Sequence, residues 1–341
     1  MSGHNEASWI QGGKEHALKV GPTELYTPGP NEVLVNNYVV AINPIDWKVQ
    51  STGWFIKQWP MIIGCDSAGE IAAVGKGVTR LKVGQRVIAH SPVLATNEAK
   101  FGSFQKYSIA DEILVAPIPD SITFEEATVL PSALTTSFAG LFGQKNLRLP
   151  YPPAGNAPPG SALLIWGGST SIASVAIQVA VAAGYYVLST ASAHNMDYVK
   201  SLGASAVLDH RKDTVVGDVV AALEGKQLAG VYDAVGTKDS QEYCIEVLQK
   251  VGGGRLATVL DLQVPVPEGI QANSLFALSI YLEERDISDA MWRRWTSEAL
   301  ANGSLKCKPD PLVIGTGLDK IQEALDRSKA GVSAAKVVVK L

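Results

Sequence analysis

The sequence predicts an α/β protein in which a doubly wound parallel sheet is inserted into a second, β-rich domain. Three observations predict it. The first third carries short strand-like runs punctuated by Gly and Pro, the middle alternates apolar strand runs with helical patterns, and the end returns to mixed strand and helix. At 341 residues the chain has length for about two domains.

The early strands are Glu32-Val33-Leu34-Val35 after the Pro28-Gly29-Pro30 turn, Ile71 to Val74, and Arg86-Val87-Ile88 after the Val83-Gly84 turn. The Pro/Gly-rich stretch 150–160 reads as an exposed loop before a regular region. Ala162 to Trp166 then has the unbroken apolar run of a buried strand. Ile172, Val175, Ala176, Val179 and Ala183 follow at i, i+3, i+4, i+7 and i+11, one face of a helix that Gly184 stops. Strands at Tyr185–Thr190, Ala206–Leu208, Val231–Val235 and Leu256–Leu260 alternate with helices at Met196–Leu202 and Val219–Leu223, the pattern of a parallel sheet with crossover helices. Near the end, strands at Leu312–Ile314 and Lys336–Lys340 flank an amphipathic helix, Leu318–Lys329. The expected domains are therefore 1–126 plus 287–341, and 127–286.

With 29 basic and 33 acidic residues the net charge is −4, which argues against nucleic-acid binding and against a polybasic membrane contact. Cys65, Cys244 and Cys307 are scattered, without a CxxC or Cys/His pair, so neither a disulfide framework nor a zinc finger is supported. No secretory signal and no membrane-spanning apolar stretch is visible, and a cytoplasmic location is expected.

The chemistry begins at the turn after Trp166. Aligned on the dinucleotide fingerprint G-x-G-x-x-G, the chain supplies Gly168, Thr170 and Ala173. The second glycine is missing, and Ser169, Thr170 and Ser171 offer hydroxyl donors instead. A helix amino terminus there favours an anion such as a pyrophosphate; the bland reading is an ordinary strand–helix turn. An NAD site places an acid about twenty residues on. Here that position reads Ser189-Thr190-Ala191-Ser192-Ala193-His194-Asn195, without an acid, and Lys200 lies beyond it. That favours NADPH, although Ser192 and Asn195 also suit a helix cap.

These residues sit among others that resemble the medium-chain dehydrogenase/reductase superfamily along nearly the whole chain. The segments are Pro28–Val35, Asn43-Pro44-Ile45-Asp46-Trp47-Lys48, Gly64-Cys65-Asp66-Ser67-Ala68-Gly69-Glu70, Val83–Val87, Gly102–Tyr107, and Phe124–Ala127 with Leu130-Pro131. Trp166–Ser171 and Ser192–Asn195 carry a narrower likeness to the zinc-free, quinone-reductase-like branch, closest to fungal enoyl reductases that act in trans on polyketide synthases. The resemblance implies a GroES-like catalytic domain, a Rossmann domain and an active site in the cleft. Zinc alcohol dehydrogenases of the superfamily carry Cys near position 43 and His-Glu at the Gly64 motif, where this chain has Asn43 and Cys65-Asp66, and the structural zinc lobe is missing. No metal is expected, and Cys65 reads as a small core residue.

Without a Lewis acid the chemistry that remains is reduction of a carbon–carbon double bond conjugated to a carbonyl. A donor must then wait for the enolate oxygen. By resemblance Lys48 and Thr136 are the catalytic candidates, with Asp46 orienting Lys48. The bland readings are a solvated surface lysine and a structural helix-start threonine. The resemblance places the cofactor against Asp46, Trp47, Lys48, Gly168, Ser169, Thr170, Ser171, Ile172, Ser192, His194, Asn195, His210, Val259, Leu260, Val332 and Ser333. It places the substrate against Asn43, Thr135, Thr136, Phe276, Ser279 and Tyr281. The stretch Asn273–Glu284 either closes that pocket or is an edge strand pairing two subunits. Trp292-Arg293-Arg294-Trp295 reads as one helix, docked on its own domain or touching an acidic carrier. No residue stands out as the proton donor, and Tyr107 reads as a strand core residue. The expected partner is a small-molecule or carrier-bound acyl substrate, with a polyketide synthase as its source, and the chain is expected to be a monomer or a homodimer. The other readings are a quinone or small-alkenal reductase, a carbonyl reductase of alcohol-dehydrogenase type, and a non-catalytic nucleotide-binding scaffold.

NADPH should bind more tightly than NADH in a fluorescence titration, and Ser192→Asp should weaken NADPH through like-charge repulsion. Equal or reversed affinities would sink the argument from the missing acid.

Overall fold

The computed structural model describes residues 4–13, 16–152 and 157–341. Part of the loop expected over 150–160, and the first three residues of the start read for a leader, lie outside them. The strands of the first part are β1 (Asn5–Ile10), β2 (Lys19–Thr23), β3 (Glu32–Ala41), β4 (Met61–Ile62), β5 (Asp66–Val74), β6 (Arg86–His90), β7 (Tyr107–Asp111) and β8 (Val115–Pro117), with helix α1 (Pro44–Thr52) between β3 and β4. The middle part has β9 (Ser161–Trp166), β10 (Tyr186–Ala191), β11 (Ala206–Asp209), β12 (Gln227–Asp233), β13 (Gly254–Thr258) and β14 (Ile270–Ser274), and the end has β15 (Asp310–Thr316) and β16 (Ala335–Lys340). The chain divides into two units, residues 1–132 with 310–341, and residues 133–309.

In the first unit a seven-stranded sheet runs β15-β16-β3-β5-β6-β8, with β7 also on β3. Side chains alternate across β3. Val33 and Val35 join Ile71, Val87 and Val115 in one core. Leu34 and Val40 join Val49, Ile62, Leu325, Val337 and Val339 in the other. The last strand, β16, pairs antiparallel with β3 through Val338↔Ala41 and Val339↔Val40, so the two ends of the chain meet inside one sheet. A small sheet, β2-β1-β4, stands apart from it.

The second unit is a six-stranded sheet of order β11-β10-β9-β12-β13-β14, parallel at every pairing, which is the Rossmann order. All six residues of β9 are buried, as a central parallel strand requires. The helix Pro131–Phe142 spans the junction between the units in sequence. Thr136 therefore stands in mid-helix, not at a helix start, because Pro131 already opens the first turn.

Residues 287–309, expected with the β-rich domain, cluster with the second unit. The cause is Trp292, fully buried with Nε1 donating to Thr135 Oγ1 at 3.1 Å, and Trp295, whose ring meets Phe138 edge-on at 6.1 Å. Arg293 and Arg294 turn back to Asp289, each at 3.0 Å, on a π-helical segment, Asp289–Trp295. The stretch 273–284 divides: its start completes edge strand β14 and Ser279–Leu282 is a helical turn.

Gly140, in the helix Pro131–Phe142, has no room for a side chain. A Cβ on Gly140 would lie 2.0 Å from the ring of fully buried Tyr232, whose hydroxyl donates to the Thr136 carbonyl at 3.1 Å. Gly140→Ala should therefore lower stability by about 1–3 kcal/mol, read by urea denaturation. A variant as stable as the parent would show that this contact is slack.

Candidate active site

Chain order reverses on either side of β9, and a ligand crevice forms at the carboxyl ends of the strands at such a point. Four sets of expected cofactor residues follow directly from four of these ends: Gly168–Ile172 after β9, Ser192–Asn195 after β10, His210 after β11, and Val259-Leu260 after β13. Gly167 has φ +81°, the left-handed region that favours glycine. A Cβ on Gly168 would stand 2.4 Å from Ser189 Oγ and 2.7 Å from Val199. The Gly168 N–H donates to the Thr190 carbonyl at 2.7 Å and the Gly167 N–H to Thr190 Oγ1 at 3.0 Å, which ties the loop to β10.

Thr170 caps the helix Ser171–Ala182, its hydroxyl oxygen accepting from the Ala173 N–H at 3.1 Å. Ser171 Oγ, at the first position of that helix, is buried and has no hydrogen-bond partner among the described residues, and neither has the buried Nδ1 of His210. A helix amino terminus with an orphan hydroxyl suits a phosphate, and the glycines let the turn pack tightly on β10. These residues fit a dinucleotide. Ser192 and Asn195 are buried, and His194 is exposed with Nε2 3.4 Å from Ser192 Oγ.

Sequence reasoning missed Asp233, a fully buried carboxylate at the end of β12. It accepts from the Val235 and Gly236 N–H groups at 3.0 Å each, from Ser240 Oγ at 2.9 Å and from Thr258 Oγ1 at 3.2 Å. Burial pushes its carboxyl upward and these donors oppose the shift. It fixes the turn beside the crevice; an acid at a strand end just before Gly236 was the available signal.

In the first unit, α1 carries Asp46, Trp47 and Lys48. Asp46 Oδ2 accepts from the Asn43 N–H at 2.7 Å and so caps the helix start. Asp46 thus acts on the helix that bears Lys48 and not on Lys48 directly. The Asn43 side chain turns inward, its amide donating to Asp66 Oδ2 at 2.9 Å and its carbonyl accepting from Lys336 Nζ. Asn43, expected in the substrate pocket, is a buried strut, 6% exposed. Lys48 is half-buried with Nζ 5.7 Å from the Trp47 ring centroid, and Lys329 Nζ lies 5.9 Å from the same ring. Val332 and Ser333 sit on the connection from that end of the helix Ile321–Lys329 to β16. In the second unit, Thr135 is fully buried beneath Trp292, while Phe276 is exposed and Ser279 and Tyr281 are half-buried just after β14.

The polar cluster around Asn43 occupies the positions where the superfamily's zinc ligands would be sought. The Ser132 N–H donates to Asp66 Oδ1 at 2.8 Å and the Ser132 hydroxyl donates to the same atom, while Lys336 lies 3.3 Å from Oδ2. Burial and the neighbouring carboxylates push the Cys65 thiol well above its ordinary value, and Cys65 Sγ donates to Asp46 Oδ1 at 3.6 Å. Burial holds the His90 ring down at about 4. Among the described residues no group of three or more His, Cys, Asp or Glu is placed to hold a metal ion. A carboxylate already committed to four donors, one of them a lysine ammonium, does not fit a zinc ion.

Two family descriptions match the chain: an alcohol dehydrogenase GroES-like domain over residues 29–120 and a zinc-binding dehydrogenase over 171–299. The chain is 40% identical over 337 residues to the trans-enoyl reductase himH of Aspergillus japonicus, covering 99% of this chain and 97% of that one. It is 38% identical to the dehydrogenase orsE of Emericella nidulans, covering 99% of each. In fold it is similar to the crystal structure of the CurK enoyl reductase, with a TM-score of 0.78 at 19% identity over 98% of this chain and 99% of that one. No helix of the described residues is long and apolar enough to cross a membrane.

Asp46 gives a pH test. Burial, with the nearby Asp66 charge, lifts its carboxyl from an ordinary 3.8 to about 7. The unfolded chain releases that proton first, so ionising Asp46 in the folded state costs stability progressively as pH rises from about 4 to about 7. Each unit of difference is worth about 1.4 kcal/mol. Asp46→Asn should gain in melting temperature relative to the parent across that window and hold a constant difference above it. A gap that does not change with pH would show that Asp46 ionises freely.

Proposed function

Because the chain belongs to the medium-chain dehydrogenase/reductase superfamily, we propose that it is an NADPH-dependent, zinc-free enoyl reductase of fungal secondary metabolism, active in the cytoplasm. Its substrate is a small-molecule or carrier-bound acyl compound with a carbon–carbon double bond conjugated to a carbonyl, and a polyketide synthase is the source of such a carrier-bound chain. The observation that carries the reading is the committed cluster of Asn43, Asp66, Ser132 and Lys336, which leaves carbonyl polarisation to protein donors. The full-length similarity to a protein named a trans-enoyl reductase supports it.

When bound, the nicotinamide supplies a hydride to the β-carbon. The residues Gly168 to Ile172 would hold the pyrophosphate at the helix terminus, where the Ser171 hydroxyl has no partner among the described residues. Ser192, His194, Asn195 and His210 bound the ribose phosphate, and no acid at the end of β10 repels it. Lys48 donates to the carbonyl oxygen as negative charge develops there. Thr136, its backbone anchored by Tyr232, gives the second hydrogen bond to the substrate or the nicotinamide amide. Water delivers the proton to the α-carbon.

A donor aimed at a developing enolate acts in the transition state and hardly in the ground state. Lys48→Ala and Thr136→Ala should each lower kcat by about a hundredfold or more and leave NADPH affinity nearly unchanged. Deuterium from 4-labelled NADPH should appear at the β-carbon and solvent deuterium at the α-carbon. Label at a carbinol carbon would make the enzyme a carbonyl reductase, and turnover of quinones alone would move it to quinone reduction.

A further inference from the structure

Lys336 is the only buried lysine or arginine among the described residues, its side chain 5% exposed. Burying an ammonium is costly, and well-packed apolar residues often do better at such positions. Its neighbours on the strand, Val337, Val338 and Val339, are all buried aliphatics. Something local must hold a cation here.

Adjacent strands deliver the partners. Lys336 comes from β16, Asn43 follows the end of β3, Asp66 opens β5 opposite Ala41, and His90 closes β6 opposite Asp66. The ammonium donates to Asn43 Oδ1 and lies 3.3 Å from Asp66 Oδ2. A second buried carboxylate, Asp46, is joined to the same asparagine through its N–H at 2.7 Å. Lys336 is thus the one full cation against the Asp66 carboxylate, with the buried Asp46 carboxyl beside them, and all three meet on Asn43. That residue is the hinge where the chain leaves β3 and enters α1. A shift of Asn43 moves the start of the helix, and Lys48 lies in its second turn.

We propose that Lys336 is a positioning residue, a cation tethered to the fold that fills this cluster in place of any metal ion and fixes the angle at which α1 presents Lys48. The role assigned to α1 rests on the reading of Lys48 given above; the exclusion of metal does not.

The test combines metal content, melting temperature and turnover of the whole protein. After incubation with zinc and gel filtration, the parent should retain far less than one zinc per chain, and added zinc should leave its melting temperature unchanged. Lys336→Met should lower the melting temperature and lower kcat by about thirtyfold or more, with NADPH affinity unchanged. Adding Asp66→Asn removes the unpaired charge and should recover most of the melting temperature but not the turnover. Placed on Lys48→Ala, the Lys336→Met change should cost less than about threefold further, since both act through one group. Stoichiometric zinc in the parent would overturn the tethered cation. Parent-like turnover in Lys336→Met, or a full second loss on Lys48→Ala, would overturn the positioning role. Should Lys336→Met fail to fold, the Lys336→Met/Asp66→Asn pair carries the same comparison. Parent-like turnover in Lys48→Ala would sink the reading of Lys48, while the zinc and melting results would still decide the cation.

Discussion

The ion pair between Lys336 and Asp66 is the constraint on which the first unit turns. It is buried on both sides, and a buried pair is tolerated only when its remaining donors and acceptors are satisfied. Ser132 and Asn43 do this for the carboxylate, and Asn43 does it for the ammonium. The consequences run outward from there. β16 must pair with β3 to bring Lys336 in, and Asn43 must turn its side chain away from the helix end it precedes. The capping of α1 then falls to Asp46.

The second unit solves a different problem with simpler means. A parallel sheet with both faces covered needs little but apolar strands and well-made turns. Its one fully buried carboxylate among the described residues stands at the carboxyl end of a strand, where Asp233 organises four donors. The glycine turn after β9 is held by two bonds to Thr190, so the anion-facing end of the helix that follows is fixed before any ligand arrives.

Most of this architecture is legible in the sequence because its signals are local. The alternation of apolar runs with a helical period gives the wound sheet, and the glycine turn after Trp166 marks the crevice within a dozen residues. Asn43, Asp46 and Lys48 stand out as one short segment, but the structural duties of Asn43 and Asp46 in it do not. What escapes is long-range. Lys336 reads as an ordinary strand residue because its acceptor on Asn43 lies 293 positions away. The boundary near 287 moves to Asp310 because Trp292 finds Thr135, 157 residues earlier, a contact no periodicity announces. Thr136 looks like a helix start because the apolar run Ala133-Leu134 hides that Pro131 has already begun the turn.

The pairing of the last strand with β3 bears on how the protein is made. A ribosome releases the chain from its amino end, and domains tend to fold as they emerge. Here β3 is synthesised early but lacks its β16 neighbour until some three hundred peptide bonds later. Through that interval Asp66 lacks the Lys336 ammonium, and the Val39–Ala41 end of β3, beyond its pairing with β7, is open to solvent or to a chaperone. The inserted unit, complete by residue 309, has all its strands in hand first. Translation therefore imposes an order in which the second unit is finished before the first can close, and loss of β16 would be felt in the unit that holds β3.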